Sequence, residues 1–270
     1  MYSLNLPAAK RRKNNMQAIK DTWTMAKRSL KHIVRSSDTI ITVVITPIAM
    51  MLMFVYVLGG ALEQQTGSVK YIDYITPGII ILTVISGIAY AAFRLNGDIQ
   101  KGIINRFRTM PVASSSILGG QAASSTLSNL FSSLIVLAVA FAVGFRTDAG
   151  LTEWLTFAGL LTLFTLAMTW TAVYFGLQAK SAEGSGSFSY ILMFLIFLSP
   201  SFVPTSSMSP VLRSFANNQP FTPIIETMRS LLTNGTLGSK AGLAFAWSTG
   251  ILVLMYALSI WTYKKKSLAS

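Results

Sequence analysis

Apolar residues fill six long stretches of this chain, at about 40–58, 75–93, 117–145, 154–179, 188–203 and 241–263, and none carries a charge in its interior. The runs are continuous rather than alternating, which predicts helices. A bilayer's hydrocarbon core takes about 20 apolar helical residues to cross. Only helices or closed barrels satisfy their own backbone groups there. The pattern therefore predicts an all-α membrane protein with six transmembrane helices, and directs the search for function to the connections.

Those connections carry patterns of their own. Residues 1–13 read as a basic leader, followed by a helix at about 14–36 with Met16, Ile19, Trp23, Ala26, Leu30 and Ile33 on one face. Lys20, Lys27, Lys31 and Arg35 lie largely off that face, the arrangement of a helix lying on an anionic membrane surface. The chain thus divides into residues 1–38, leader and interfacial helix, and residues 39–270, the membrane domain. A short polar loop is expected at 59–74, with Pro77 in the first turn of the second span. Past Asn96-Gly97, a short amphipathic helix is expected to start at Asp98 and end before Pro111. Ile99, Ile103, Phe107 and Met110 share its face, with Arg106 and Arg108 near its C-terminus, where the helix dipole favours cations. This pattern suits either an interfacial anchor or a docking element.

Ser116, Gly120, Ser124 and Ser128 recur every four residues along the third span, a surface that lets another helix approach, and Asn129 is expected to hydrogen-bond between helices. After the fifth stretch the prolines at 200, 204 and 210 predict irregular chain. An external helix follows, with Thr222 as N-cap, Pro223 at N1 and Asn234-Gly235 at its end.

Composition sharpens this picture. The chain is 52% hydrophobic and 11% charged, with a net charge of +13. Alternating the sides of the connections places 17 of the 22 basic residues on one face, which the positive-inside rule assigns to the cytoplasm. Both termini are then cytoplasmic, in a multi-pass protein of the cell membrane, and the charge needs no nucleic acid to explain it. The 38 residues before the first span are too polar for an ordinary cleaved signal peptide, so that span reads as a retained anchor. Cysteine is absent, which excludes disulfides and thiolate chemistry.

Candidate catalytic chemistry is sparse. The sequence has no GxxxxGK[ST] phosphate loop, and His32, its one histidine, cannot build a His-rich metal site. No catalytic residue, metal ligand or cofactor site is expected. Ion-coupled carriers usually place ionisable groups inside their spans, and these spans have none. Uphill transport would therefore draw its energy from outside the membrane, and the amphipathic cytoplasmic helix is a place for it to arrive.

Four stretches carry a family resemblance. They are Tyr74–Gly78, Gly102–Val112 (Gly-Ile-Ile-Asn-Arg-Phe-Arg-Thr-Met-Pro-Val), Ser199–Pro204 and Asn218–Arg229. In order and spacing on a six-span frame they resemble the type-2 ATP-binding cassette (ABC) exporter permeases, daunorubicin-resistance branch. Gln219, inside the usual Asn-Pro pair, and Lys101, where many relatives are acidic, depart from the pattern. The resemblance implies a permease that is not itself an enzyme and pairs with a second copy or a paralogue. It implies separate ABC ATPase subunits, which hold ATP and Mg and dock on a coupling helix carrying Asp98, Ile103, Arg106, Phe107, Arg108 and Met110. It also implies a path lined by spans one, two and five.

Met50 and Phe54 in span one, and Tyr190, Phe194 and Phe197 in span five, are the candidate path residues. Adaptable Met and aromatic faces without charges suit a hydrophobic drug, antibiotic or lipid. Export of a lipid-linked glycan and a non-transporting membrane anchor or sensor stand as the other readings.

Overall fold

The computed structural model describes residues 41–66, 69–102, 114–233 and 235–268. The leader, the interfacial helix with His32 and the segment from Ile103 to Pro111 lie outside the described residues. Among the described residues the secondary structure is helical, and five helices are long and apolar enough to cross a membrane. They are α1 (Ile41–Glu63), α2 (Tyr71–Gln100), α3 (Ser114–Val143), α4 (Leu151–Gln178) and, at the end of the chain, Ala241–Leu268. Between α4 and that last helix the described residues form a 3-10 turn at Thr205–Ser207 and four short α-helices: α5 (Ala182–Ser185), α6 (Phe188–Phe197), α7 (Pro210–Asn218) and α8 (Phe221–Thr233). The last helix is α9.

Helix α2 is the hub. It is apolar all round, and a helix of that kind is buried rather than amphipathic. Ile75, Ile79–Leu82, Val84, Ile85 and Ile88 are fully enclosed. By contrast α1 and α9 expose residues such as Tyr56, Val57, Val253 and Trp261, a surface suited to lipid. Close contact between α2 and α4 depends on Gly176, where a Cβ would come within 3.2 Å of the Ala92 carbonyl.

Helix boundaries differ from the sequence expectations in four places. The loop expected at 59–74 is largely helical: the chain stays helical to Thr66 and α2 begins at Tyr71. Pro77 consequently sits inside α2 rather than in its first turn. At the other end α2 runs through Asn96-Gly97 to Gln100, and Gly102 terminates it with φ +67°, a conformation that favours glycine. Asp98 therefore lies in the last turn of α2 instead of starting a separate helix. Arg94, just past the expected end of the second span, is likewise helical.

The fourth difference is the fifth apolar stretch. Instead of one helix at 188–203, helix ends at Phe197 and turns carry the chain through Ser199–Phe202. This part of the chain still follows α2 antiparallel along its length. Asn96 bonds the Ala179 carbonyl, a Cβ on Gly186 would lie 3.3 Å from the Ala89 carbonyl, and the Tyr71 hydroxyl bonds the Phe202 carbonyl. Beyond it, the irregular segment expected after Pro204 contains the additional helix α7.

Candidate functional site

Three motifs, the second and third more than a hundred residues after the first, meet where α2 begins. Tyr71 and Tyr74 stand one turn apart on α2. Their hydroxyls donate to carbonyls of the turn after α6, Tyr71 to Phe202 at 2.9 Å and Tyr74 to Pro200 at 3.0 Å. Gly78, one turn further along α2, lets that turn approach: a Cβ there would come within 2.8 Å of Ser201 Cβ. From α8, Arg229 completes the cluster. Its guanidinium donates to the carbonyls of Tyr74 at 3.0 Å and Pro200 at 2.5 Å, and lies 3.6 Å from the centre of the Tyr74 ring.

One cation on α8 thus binds two backbone carbonyls and an aromatic face on two other elements. Charge-assisted bonds of this kind are the stronger ones, and the ring adds a cation–π contact. Burial pulls the Arg229 guanidinium below its ordinary value, while Tyr74 and Glu226 act in the opposite direction. Glu226 pairs at 2.7 Å with Lys240, just before α9, so α8 is tied on both sides. Thr222, expected to cap α8, lies inside its first turn and donates to the Ala216 carbonyl of α7. The clamp is built to hold α8 and the post-α6 turn in register with α2. It contains no nucleophile–base pair.

The opposite end of α2 is tied by amides. Asn96 Nδ2 donates to the carbonyls of Gly176 and Ala179 at 2.9 and 2.8 Å, which leave the end of α4. Gln100 Nε2 donates to Asn96 Oδ1 at 2.8 Å and the Lys180 carbonyl at 3.2 Å. Of the residues expected in a coupling helix, Asp98 is partly exposed beside these ties. Ile103, Arg106, Phe107, Arg108 and Met110 lie outside the described residues.

The candidate path residues divide into two groups. Tyr190, Phe194 and Phe197 lie on one exposed face of α6, the first two 74% and 63% accessible. Met50 and Phe54 are partly buried and pack against the chain's own core. Phe202 joins the groups: its ring stacks on Phe54 at 4.8 Å and on Phe197 at 5.0 Å. Phe202 was absent from the sequence candidates, although it lies inside the Ser199–Pro204 motif. Among the described residues no group of His, Cys, Asp or Glu could hold a metal ion.

The sequence profile of the ABC-2 type transporter family matches residues 20–233. The daunorubicin resistance ABC transporter permease protein DrrB1 of Streptomyces coeruleorubidus is 26% identical over 252 residues, covering 93% of this chain and 88% of that protein. A probable doxorubicin resistance ABC transporter permease protein, DrrC, of Mycobacterium tuberculosis is 25% identical over 239 residues, covering 87% of this chain and 85% of its own length.

Proposed function

Because the chain belongs to the ABC-2 type transporter family, as a transmembrane permease subunit of an ABC exporter, we propose that it moves a hydrophobic or amphiphilic substrate out of the cell. The observation that carries the substrate class is the exposed, charge-free face of α6, continued into α1 by the Phe54–Phe202–Phe197 stack. The relatives' names, which speak of daunorubicin and doxorubicin resistance, agree with such a substrate. A charged glycan would call for basic or hydrogen-bonding groups on that face, and it presents none beyond the Tyr190 hydroxyl.

In this reading the segment from Ala179 to Val203 is the fifth of six crossings, and both termini are cytoplasmic. Its antiparallel course along α2 and the excess of basic residues on one side support this. The Gln100 end of α2 then faces the cytoplasm and the Arg229 clamp faces outward. Two permease chains form the path between their α1 and α6 surfaces, with the enclosed α2 of each chain behind them. Separate ATPase subunits supply the energy, docking beyond Gly102 on the segment with Ile103, Arg106, Phe107, Arg108 and Met110, with Asp98 beside it.

The native chain has no cysteine, so single cysteines at Met50, Phe54, Tyr190, Phe194 and Phe197 give clean reporters. In membranes containing the assembled exporter, cysteine at 190, 194 and 197 is expected to react with a thiol probe, and daunorubicin to slow that reaction. Labelling that daunorubicin leaves unchanged at every position would refute the substrate face while leaving the permease assignment intact.

A further inference from the structure

The amide ties at the Gln100 end of α2 belong neither to the Arg229 clamp nor to the substrate face, yet they stand between the two places where an exporter must act. On one side, Gln100 ends α2 two residues before Gly102, beyond which lies the segment proposed to dock the ATPase. On the other, the chain from Lys180 leads to Tyr190, the first residue of the exposed α6 face.

Five of the seven residues from Ser181 to Ser187 are Gly or Ser, the composition of a flexible linker. The structure braces them instead. Asn96 Nδ2 holds the Gly176 and Ala179 carbonyls, while Gln100 Nε2 holds Asn96 Oδ1 at 2.8 Å and the Lys180 carbonyl at 3.2 Å. From there hydrogen bonds follow at every third residue. Ser181 Oγ accepts from the Gly184 N–H at 3.0 Å, the Gly184 carbonyl from the Ser187 N–H at 3.2 Å, and the Ser187 carbonyl from the Tyr190 N–H at 3.2 Å. Gly186 lets this stretch lie close to α2 at Ala89, and the Phe188 ring stacks on Phe175 of α4 at 4.5 Å. The last turns of α2 and α4, the connection and the root of α6 thus form one block. Packed protein transmits strain, so displacing one member displaces the others.

We propose that Asn96 and Gln100 are positioning residues for energy coupling, passing movement of the ATPase-docking segment through the Lys180 carbonyl and the braced connection to the substrate face of α6. The proposal rests on the permease reading above. Linked hydrogen bonds and rigid elements carry coupling between sites in this way. At the other end of α2, Tyr71 and Tyr74 hold the turn after α6, so with both of its ends tied α6 follows α2. The two amides divide the task. Asn96 is 2% accessible and also serves the packing of α2 on α4, whereas Gln100 is exposed and contributes the bonds to Asn96 and Lys180.

Movement of α6 can be read directly, because the native chain has no cysteine. In membranes containing the assembled exporter, the Tyr190→Cys protein is reacted with a thiol probe with and without ATP. ATP should change the rate about fivefold or more, the lower end of ordinary coupling between sites. Gln100→Met, similar in length but unable to donate, should remove most of that change while the ATPase still co-purifies, and Gln100→Lys, which keeps a donor, should restore it. Asn96→Leu should remove it too, and Gln100→Met, at an exposed position, decides the matter should Asn96→Leu not fold. A full ATP response in both Gln100→Met and Asn96→Leu would overturn the relay, as would Gln100→Lys behaving like Gln100→Met. Loss of the ATPase together with the response in Gln100→Met would make Gln100 a docking residue instead. No ATP response in the Tyr190→Cys protein itself would refute α6 as a coupled face, the reading beneath the relay.

Discussion

At the scale of single residues, fit is decided by a few close approaches. Any side chain added at Gly87 would occupy the space of Asn129 Oδ1. Gly87→Val should therefore push α2 and α3 apart and destabilise the fold by about 1–3 kcal/mol, the usual range for overpacking. A lowered thermal midpoint of the purified protein in detergent would register it. Tyr74→Phe removes one hydroxyl bond to Pro200 and should cost about 1 kcal/mol, whereas Arg229→Leu removes the charge that both carbonyls share and should cost about 3 kcal/mol or more. Comparable melting of the two variants would contradict the role assigned to Arg229. Asn129 shows how far sequence reaches at this scale. A lone amide in an apolar run predicts an interhelical bond, but Gly87, which sets its position, lies forty residues away and carries no signal of its own. In the structure the amide packs on that glycine, and its Nδ2 has no hydrogen-bond partner among the described residues.

At the scale of elements, apolar runs predicted the helices well and polar residues predicted their ends poorly. Asn96-Gly97 reads as a break, yet α2 continues because the Asn96 amide is satisfied by the end of α4, a partner eighty residues on. The fifth stretch shows the reverse. It is apolar throughout 188–203, but Ser199, Pro200 and Ser201 turn, because Tyr71, Tyr74 and Arg229 supply the bonds that a helix would otherwise make internally. Asn96→Leu should therefore loosen the junction of α2 and α4 and cost about 2 kcal/mol, as expected for one buried and one half-buried acceptor left unmet. Limited proteolysis near Lys180 would detect the loosening. Beyond Gly102, Phe107→Asp should uncouple ATP hydrolysis from transport and reduce co-purification of the ATPase, by about 1 kcal/mol of binding or more. Unchanged assembly and unchanged substrate-stimulated hydrolysis would remove Phe107 from the docking surface.

At the scale of the whole molecule, the chain is organised around α2. Three of the four motifs that carry the family resemblance converge on the Tyr71 end of that helix, and the fourth begins at its other end with Gly102. Their order was legible in the sequence; their convergence was not, since Arg229 and Tyr74 are 155 residues apart and no periodicity links them. The candidate path residues were legible only as a type. Met50 and Phe54 match the expected composition but pack inward, while Phe202, which joins them to α6, lies beyond that helix's end.

The short α6 has a consequence for how the protein is made. Ten residues of helix extend about 15 Å, roughly half the hydrocarbon thickness, so α6 alone is a poor substrate for insertion by the translocon. Its flanking carbonyls at Ala179, Lys180, Pro200 and Phe202 are all met by side chains of α2, a helix that leaves the ribosome eighty residues earlier or more. Biogenesis is thereby ordered: α2 must be in the bilayer, with Tyr71, Tyr74, Asn96 and Gln100 in place, before the segment emerging after α4 can settle beside it. Arg229, synthesised last of these groups, then locks a partnership already formed.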